Sequence, residues 1–585
     1  MIKIEELSVA FGETEVVKKV SLDLRDGEIL GVVGESGSGK SVTALTLMGL
    51  VADTARVTSG RILFDDVVLR EAGKPCDKTL YRKYQGSEMS MVFQEPQTSL
   101  NPTQKVGRQV EEVLLLHTKL DREEIREKVL ETFRAVGLQD AERVYASYPH
   151  QLSGGMRQRA MIAMAIILHP RLIVADEPTT ALDVTIQNQI VELLRKINKE
   201  QNNAMLFITH DLHLARRICH RVAVMKDGCV VEIGTAEEVF DHPKEAYTKR
   251  LVEAVPSRVH GREGFRRTVG KPGVSGDADD RERKAGDVEN RERKTGEAGS
   301  QEAETGNAGN GETTGTARRP EPVLQVRDLS VYYQDGNQAI AEEEGKAGEK
   351  KFLLRALFRR NQRQYVVHHA DFEIWPGESL GLVGESGCGK TSLSKAILGM
   401  NHHIEGKIVH HSVRPQMVFQ DPYSSLNPSK TIGWLLQEPL RAAGVLDKSL
   451  AMTKADMETA AYDMLRRVGM EEQYFHRKPS ELSGGQRQRV SIAQALITNP
   501  GFIVADEPVS ALDVTIQAQI MELILKLQEE MRLACLFISH DINVVYRMCD
   551  RIMVMKEGQI LEIGETEEVF NHPKADYTKL LLCNS

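Results

Sequence analysis

The sequence predicts two tandem α/β domains in one chain of 585 residues. The first observation behind this prediction is an internal repeat, because three short segments of the first half return in the same order in the second. They are GESGSGKS and GESGCGKT from Gly34 and Gly384, LSGG from Leu152 and Leu482, and IVADEP from Ile173 and Ile503. The second observation is that apolar runs typical of buried parallel strands precede the first segment and begin the third. A repeated unit of strand, turn and helix predicts a parallel sheet in each half.

The length and the repeat together predict the domain boundaries. We expect one domain over residues 1–258, a second over 322–585, and a disordered polar linker over 259–321. Between Pro256 and Pro322 the sequence is rich in Gly, Glu, Arg, Lys, Thr and Asn and almost free of large apolar residues. Such a segment cannot bury enough apolar surface to offset its ordering entropy. As a flexible coil of about 65 residues it would have ends about 45 Å apart.

The composition disfavours several classes of protein. The formal net charge of -9 argues against a general nucleic-acid binder, because neutralising phosphates needs a basic face. No apolar run approaches the roughly 20 residues that span a bilayer, so a soluble protein is expected unless a partner holds it at a membrane. The seven cysteines form no C-x-x-C pair, which favours reduced cytosolic thiols over a zinc or iron-sulfur site.

The first repeated segment has the pattern of a phosphate-binding loop. Its glycines let backbone N–H groups wrap phosphates at a helix N-terminus, its lysine reaches the outer phosphates, and its hydroxyl residue contacts Mg²⁺. The loop residues are Gly34, Gly37, Gly39, Lys40 and Ser41 in the first half and Gly384, Gly387, Gly389, Lys390 and Thr391 in the second. A purely structural glycine turn would not need the Lys-Ser or Lys-Thr pair. Cys388 occupies a variable loop position, where a small filler is a simpler interpretation than a redox sensor.

Two adjacent acids end an apolar strand in each half. Asp176 and Asp506 are expected to bind Mg²⁺, mostly through water. The next residues, Glu177 and Glu507, are expected to face the space beyond the γ-phosphate, where a carboxylate can orient or deprotonate the attacking water. A solvated turn is the alternative interpretation, but a preceding phosphate loop disfavours it.

A histidine follows another apolar strand in each half, within LFITHD and LFISHD. A single histidine after a strand is usually structural. The repetition of His210 at the equivalent position His540 favours a sensor of the γ-phosphate instead.

The LSGG segments, followed by GGMRQRAMIAMAIILHP or GGQRQRVSIAQALITNP, resemble the signature of ATP-binding cassette (ABC) proteins. The resemblance covers nearly the whole chain outside the linker. It implies tandem P-loop NTPase domains, each with a RecA-like core, an antiparallel β-subdomain and a helical signature subdomain. It also implies that Ser-Gly-Gly opens a helix whose positive N-terminus caps the γ-phosphate of ATP held by the opposite domain.

Carried over to this chain, the resemblance implies two composite ATP sites. The first would combine Lys40, Ser41, Gln94, Asp176, Glu177 and His210 with Ser483 and Gly485. The second would combine Lys390, Thr391, Gln420, Asp506, Glu507 and His540 with Ser153 and Gly155. Asp183 and Asp513 match loops that link the two sites, and Phe11 and Tyr333 match the aromatic that stacks on adenine. The implied Mg²⁺ ligands are Ser41, Gln94 and Asp176, and Thr391, Gln420 and Asp506.

Further segments resemble one branch of the family, the ATPases of dipeptide, oligopeptide and nickel importers. These segments are VFQEPQTSLNP, VFQDPYSSLNP, ALDVTIQNQI, ALDVTIQAQI and the endings FDHPKEAYTKRL and FNHPKADYTKLL. The resemblance implies ATP and Mg²⁺ as cofactors and two transmembrane permease subunits as partners, contacted by the segments after Gln94 and Gln420. It implies an indirect link to an extracytoplasmic solute-binding protein, no nucleic acid, and a peripheral location at the cytoplasmic face of the cell membrane through the permeases alone. The two domains, usually separate subunits, are fused here.

The sequence also departs from the usual pattern of this branch. From Lys40 to Gln94 the gap is 54 residues, but from Lys390 to Gln420 it is only 30. The second half is therefore expected to lack much of a polar hairpin region. Neither C-terminal extension carries the cysteines that some relatives use for an iron-sulfur cluster, so none is predicted.

Several alternatives stay open at this level. The basic segment KKFLLRALFRR from Lys350 suits a membrane or permease surface as well as packing on its own domain. The pairs His402-His403 and His410-His411 suggest a nickel site, but adjacent residues of a strand point to opposite faces, which makes chelation poor. A non-transport tandem ABC ATPase, such as a translation factor or a DNA-repair protein, is the alternative function. The sequence does not identify the transported solute.

Overall fold

The structure is a computed structural model that describes residues 1–94, 96–180, 182, 184–254, 321–334, 363–411, 415–510 and 512–583. The predicted linker, apart from residue 321, and the insertion that contains KKFLLRALFRR lie outside the described residues. Asp183 and Glu95 lie outside them as well.

Strands and helices alternate along each half, as the repeat predicts. The strands of the first half are β1 (Ile2–Phe11), β2 (Thr14–Leu24), β3 (Ile29–Val33), β4 (Ala55–Phe64), β5 (Val67–Glu71), β6 (Met89–Val92), β7 (Leu172–Asp176), β8 (Ala204–Ile208), β9 (Arg221–Lys226) and β10 (Cys229–Thr235). The helices span Lys40–Leu47, Lys78–Tyr84, Pro96–Ser99, Val106–His117, Arg122–Ala135, Ala141–Ala146, Gly154–Ile166, Val184–Gln201, Leu212–Ile218, Ala236–Asp241 and Ala246–Ala254.

The second half repeats this order of elements, except that the described residues contain no counterpart of β5 and of the helix Lys78–Tyr84. Its strands are β11 (Leu324–Gln334), β12 (Arg363–Ile374), β13 (Ser379–Val383), β14 (Ile404–His410), β15 (Gln416–Val418), β16 (Phe502–Asp506), β17 (Ala534–Ile538), β18 (Arg551–Lys556) and β19 (Gln559–Glu565). Its helices span Lys390–Ile397, Pro422–Ser425, Ile432–Leu446, Lys454–Arg467, Gly484–Leu496, Val514–Met531, Ile542–Met548, Thr566–Asn571 and Asp576–Cys583. Short 3-10 turns cover Pro149–Gln151, Lys448–Leu450, Glu472–His476 and Pro479–Glu481.

A six-stranded sheet forms the core of each half. The order is β10-β9-β3-β8-β7-β6 in the first half and β19-β18-β13-β17-β16-β15 in the second. The inner pairs are parallel, and the edge strands β10 and β19 are antiparallel to their neighbours. The α/β prediction of two P-loop NTPase domains is therefore confirmed.

Helices and a second sheet cover the two faces of each core sheet, so its central strands are buried on both sides. In β3, Ile29 and Val33 contribute to a core that includes the signature helix Gly154–Ile166. Leu30 and Val32 contribute to the core against the antiparallel sheet. Successive side chains of a strand point to opposite faces, which explains the continuous apolar run in the sequence.

The antiparallel sheets differ between the halves as the spacing predicts. The first half has the four-stranded sheet β2-β1-β4-β5, followed by the helix Lys78–Tyr84, whereas the second half has the three-stranded sheet β12-β11-β14. In the second half the chain passes from β14 to β15 within a few residues. Among the described residues, no helix is long and apolar enough to cross a membrane.

Candidate nucleotide sites at the carboxyl edges of the two core sheets

The strands of the parallel sheet bring the phosphate loop, the paired acids and His210 of the first half to one edge. The phosphate loop follows β3, Asp176 ends β7, and His210 follows β8, which lies between those two strands. Carboxyl ends of parallel strands meet at the same edge of a sheet, and this edge is where such folds bind ligands. The second half repeats the arrangement with β13, β16 and β17.

The phosphate loop adopts a backbone that only glycine accommodates easily. Gly39 ends the loop with a φ of 94° directly before the helix Lys40–Leu47. A Cβ atom on Gly34 would lie 2.2 Å from the carbonyl oxygen of Met225, so a side chain cannot fit there. The buried Lys40 Nζ donates hydrogen bonds to the carbonyl oxygens of Gly34 at 2.8 Å and Glu35 at 2.7 Å. The lysine amine thus lies against the loop backbone beside a helix N-terminus, a position where an anion is stabilised.

The acid that ends β7 contacts the hydroxyl residue of the phosphate loop. Ser41 Oγ donates to Asp176 Oδ1 at 3.0 Å, and Asp176 is only 5% exposed. Burial raises the pKa of Asp176 to about 6, and the neighbouring Glu177 charge adds to this rise, while Ser41 and Lys40 oppose it. A hydroxyl and a carboxylate at this distance offer the oxygen ligands that Mg²⁺ prefers.

The next residue, Glu177, is the centre of a hydrogen-bonding cluster. Its Oε2 atom accepts from Gln94 Nε2 at 2.8 Å and Thr180 Oγ1 at 3.0 Å, and it lies 3.2 Å from His210 Nδ1. Its backbone has a φ of 45°, in the left-handed region that non-glycine residues rarely adopt. Strained backbone of this kind is concentrated at functional sites.

The two members of this pair shift each other's pKa in opposite directions. Burial raises the pKa of Glu177, but the hydrogen bond and charge of His210 outweigh it, so the pKa lies below its usual value. Burial lowers the pKa of His210, but its contact with Glu177 outweighs that effect and raises the pKa overall. Glu177 therefore carries its negative charge at neutral pH, as a group that orients or deprotonates water requires.

The second half repeats this geometry with small differences. Lys390 Nζ donates to the carbonyl oxygens of Gly384 at 2.8 Å and Glu385 at 2.9 Å, and Gly389 has a φ of 108°. Thr391 Oγ1 lies 3.4 Å from Asp506 Oδ2, Gln420 Nε2 lies 2.9 Å from Glu507 Oε2, and His540 Nδ1 lies 3.1 Å from the same oxygen. Burial raises the pKa of Asp506 to about 6. Ser510 stands where the first half has Thr180, and its hydroxyl donates to the backbone carbonyl of Glu507 at 3.1 Å.

The signature residues lie at the start of the predicted helices. Ser153 and Ser483 are the N-caps, and their hydroxyl oxygens accept from the N–H groups of Met156 and Gln486, each at 3.3 Å. A Cβ atom on Gly155 would lie 2.9 Å from Ile186, and one on Gly485 would lie 2.6 Å from Ile516. The glycines thus let each signature helix pack closely on the helix that follows the Ala-Leu-Asp segment.

The caps of the two signature helices are not equivalent. In the second half, Gln486 Oε1 accepts from the N–H of Ser483 at 3.0 Å, which completes a reciprocal capping box. Its Nε2 atom donates to Tyr474 Oη at 2.9 Å. The first half has Met156 at this position, which offers neither bond.

Contacts between the halves involve the phosphate loops. Thr185 Oγ1, in the first half, donates to Glu385 Oε1 in the loop of the second half at 3.3 Å. Burial lowers the pKa of Lys40, and the charges of Glu177, Asp176 and, from the second half, Asp513 oppose this effect. Asp513 also caps its own helix by accepting from the N–H of Ile516 at 3.0 Å. Its predicted counterpart, Asp183, lies outside the described residues.

The predicted aromatics lie at the ends of the strands that start each half. Phe11 is partly buried against the core, whereas Tyr333 is 43% exposed and its Oη atom lies 3.1 Å from Ser392 Oγ. The stacking of either ring on adenine stays a prediction, as does the pairing of each phosphate loop with the opposite signature.

The histidine pairs of the second half have structural contacts. His410 Nε2 lies 2.7 Å from the carbonyl oxygen of Ile397, and the His403 ring packs on Tyr332 at 5.5 Å between centroids. Within the described ranges, no group of three or more His, Cys, Asp or Glu side chains could hold a metal ion.

Three residues that contact the candidate sites were not predicted from the sequence, because they lie outside the repeated motifs or far from them along the chain. Thr180 is one of them, because its hydroxyl contacts Glu177. Tyr247 and Tyr577 are two more, because the hydroxyls of these tyrosines contact the phosphate loops. The repeated endings EAYTK and ADYTK contained the signal for the tyrosines.

Comparison with known proteins identifies the class. The ABC transporter family matches residues 17–180 and 367–510, the segments that contain the phosphate loops, the signatures and the paired acids. The chain belongs to the ABC transporter family, and its two halves are ATP-binding, ATP-hydrolysing domains. Residues 231–277 also match the C-terminal region of oligopeptide/dipeptide transporters, which places the chain in that branch.

Relatives match along the whole chain. The glutathione import ATP-binding protein GsiA of Pectobacterium atrosepticum is 40% identical over 607 residues, which cover 100% of this chain and 89% of the relative. The protein of the same name from Escherichia coli (strain K12) is 39% identical over 609 residues with the same coverage. A solved complex of the archaeal ribosomal stalk protein aP1 and the ribosome recycling factor aABCE1 has a TM-score of 0.55 at 18% identity, over 95% of this chain and 89% of that chain. This last likeness shows the fold alone.

Proposed function

We propose that the chain energises an importer for dipeptides, oligopeptides, glutathione or nickel complexes through ATP-driven association of its two halves. The observation that carries the proposal is the complete set of lysine, acid, glutamine and histidine contacts around both phosphate loops. The oligopeptide/dipeptide C-terminal region and the glutathione importers among the relatives support the class of solute. The proposal includes the division into domains 1–258 and 322–585 with a linker between them.

The residues of each half have separate roles in this proposal. Lys40 and Lys390 hold the outer phosphates of ATP, and Phe11 and Tyr333 stack on adenine. The Mg²⁺ ligands are Ser41, Gln94 and Asp176 in one site and Thr391, Gln420 and Asp506 in the other. When bound, Mg²⁺ neutralises charge on the β- and γ-phosphates. The contacts of Ser41 with Asp176 and of Thr391 with Asp506 fit an oxygen-ligated divalent cation.

The hydrolytic step depends on the cluster around each catalytic glutamate. Glu177 orients the attacking water and accepts its proton, while His210 keeps the carboxylate charged and fixed through the contact at 3.2 Å. Glu507 and His540 act in the same way in the second site. The signature Ser483-Gly-Gly485 completes the first site from the opposite half, and Ser153-Gly-Gly155 completes the second, each with the positive end of its helix.

The partners follow from this function. Two transmembrane permease subunits would bind the segments after Gln94 and Gln420, and an extracytoplasmic solute-binding protein would act through them. The chain would then lie at the cytoplasmic face of the membrane. Asp421 lies directly after Gln420, is exposed, and accepts from the N–H of Tyr423 at 2.8 Å. This bond holds the turn directly after Gln420, and in the proposal a shift at Glu507 reaches the permease through this segment.

The test is reconstitution of the chain with the permeases and the binding protein encoded beside it. ATP hydrolysis and uptake of labelled dipeptide, glutathione or nickel complex are measured separately. Asp421→Ala should lower uptake per ATP hydrolysed while nucleotide binding persists, and Glu522→Ala, at an exposed position of the helix Val514–Met531 in the same half, serves as the control. A wild-type chain that stimulates uptake of none of these solutes but binds ribosomes or DNA tightly would overturn the proposal.

A further inference from the structure

A tyrosine of the C-terminal helix in each half reaches the phosphate loop. The backbone N–H of Glu35 donates to Tyr247 Oη at 3.3 Å, and the N–H of Glu385 donates to Tyr577 Oη at 3.2 Å. These tyrosines lie 212 and 192 positions along the chain from their partners. The same contact has therefore formed twice, once in each half.

An acidic residue in the edge strand fixes the start of each C-terminal helix. Glu232 accepts from the N–H groups of Lys244 at 2.9 Å and Glu245 at 3.1 Å. In the second half, Glu562 accepts from the N–H groups of Lys574 at 2.9 Å and Ala575 at 3.1 Å. Thr578 Oγ1 adds a further bond to Glu562 at 2.7 Å. The core sheet thus holds the helix turn that carries the tyrosine.

The tyrosine rings are buried and held from a second side. Tyr247 is 9% exposed and Tyr577 is 7% exposed. Lys226 Nζ lies 5.2 Å from the centre of the Tyr247 ring, and Lys556 Nζ lies 5.1 Å from that of Tyr577, within the range of a cation–π contact. Both lysines end the strand beside the one that leads into the phosphate loop. The hydroxyl position is therefore set by rigid elements.

The hydrogen bond to Tyr247 acts on the peptide unit between Gly34 and Glu35 of the phosphate loop. The carbonyl of Gly34 accepts from Lys40 Nζ at 2.8 Å, and the N–H of the same peptide belongs to Glu35 and binds Tyr247. The peptide is thus held by the lysine on one side and by the tyrosine on the other. A lysine that turns to the phosphates of ATP gives up its bond to the carbonyl, and the bond to the tyrosine then restrains the peptide alone.

We propose that Tyr247 and Tyr577 are positioning residues for ATP binding, each of which keeps the Gly-Glu peptide of its phosphate loop in place while the lysine binds nucleotide. The C-terminal helix is then part of the nucleotide site through this hydroxyl. The inference rests on ATP hydrolysis by the two halves and is independent of the transported solute.

The test compares two double variants of the full chain. Tyr247→Phe/Tyr577→Phe removes both hydroxyls and keeps the buried rings. Tyr145→Phe/Tyr546→Phe removes a hydroxyl contact in each half away from the loops, with Glu111 and with Glu567. The loss of one neutral hydrogen bond per site should raise KM for ATP on the order of fivefold. We expect kcat at saturating ATP to stay within about twofold, because the bond does not touch the reacting atoms.

A second measurement separates binding from turnover. Equilibrium binding of a fluorescent ATP analogue is measured in the Glu177→Gln/Glu507→Gln background, with the melting temperature recorded for every variant. A Kd raised to the same extent as KM, with the control pair unchanged, supports the proposal. An unchanged KM and Kd would overturn it whatever the melting temperature, and so would a fall in kcat alone.

Discussion

Gln94 donates a hydrogen bond from Nε2 to Oε2 of Glu177 at 2.8 Å, so the residue that starts the proposed permease-binding segment touches the proposed catalytic carboxylate. The equivalent distance from Gln420 to Glu507 is 2.9 Å. The same oxygen of Glu177 also contacts Thr180, three residues further along the same turn, and His210, which follows β8. We therefore expect a movement of the segment after Gln94 to change the geometry of the carboxylate.

Glu177→Gln and Glu507→Gln should each reduce ATP turnover strongly. The substitution keeps the shape of the side chain but removes the group that accepts a proton from water, which costs on the order of 10²-fold at the affected site. Steady-state phosphate release and single-turnover hydrolysis measure the effect, and ATP binding should persist. Glu200→Gln, on the exposed face of the helix Val184–Gln201, is the control. Unchanged turnover in one of the two variants would mean that the affected site is regulatory.

Thr185→Val should weaken communication between the halves. The valine has nearly the volume of threonine but cannot donate to Glu385, a bond of 3.3 Å across the interface. A hydrogen bond of this kind contributes about 1 kcal/mol, so turnover at low ATP should fall roughly fivefold. ATPase rates over a range of ATP concentrations give the result. Thr132→Val, whose hydroxyl binds only the backbone of its own helix in the described structure, is the matched control, and equal rates in both variants would contradict the prediction.

The two signature helices should respond differently to exchange of their cap residues. Gln486→Met removes the bonds to Ser483 and Tyr474 and should destabilise the second half by about 1 kcal/mol. Met156→Gln should stabilise the first half by less, because Val144 stands where the second half has Tyr474. Calorimetry of the full chain can follow both halves. If Gln486→Met lowered the stability of the second half by as much as Met156→Gln raised that of the first, the contact of Gln486 with Tyr474 would contribute nothing to stability.

Replacement of residues 262–318 by a Gly/Ser segment of equal length should leave ATPase activity and the melting temperature nearly unchanged. The expectation rests on composition, since a segment almost free of large apolar residues forms no core of its own and acts through its length. ATPase activity and melting temperature are compared with those of a variant whose Gly/Ser segment has half the native length. A large loss in the equal-length variant would mean that the native sequence folds or binds a partner.

The sequence by itself determined the class of the protein and predicted most residues of both proposed nucleotide sites. Lys40, Asp176 and their counterparts lie within short motifs, and each motif follows an apolar strand whose direction and burial the residue pattern indicates. Since carboxyl ends of parallel strands share an edge of the sheet, these residues could be placed together without coordinates.

Only the tertiary structure showed which side chains, distant along the sequence, form hydrogen bonds with those motifs. Tyr247 lies 212 positions from Glu35 and meets it because the strand order β10-β9-β3 brings the C-terminal helix beside the loop that follows β3. Thr185 reaches Glu385 only because the two halves pack with the first half's helix against the second half's loop. Periodicity and motif spacing describe neighbours along the chain, whereas these contacts depend on strand order and on the packing of one half against the other.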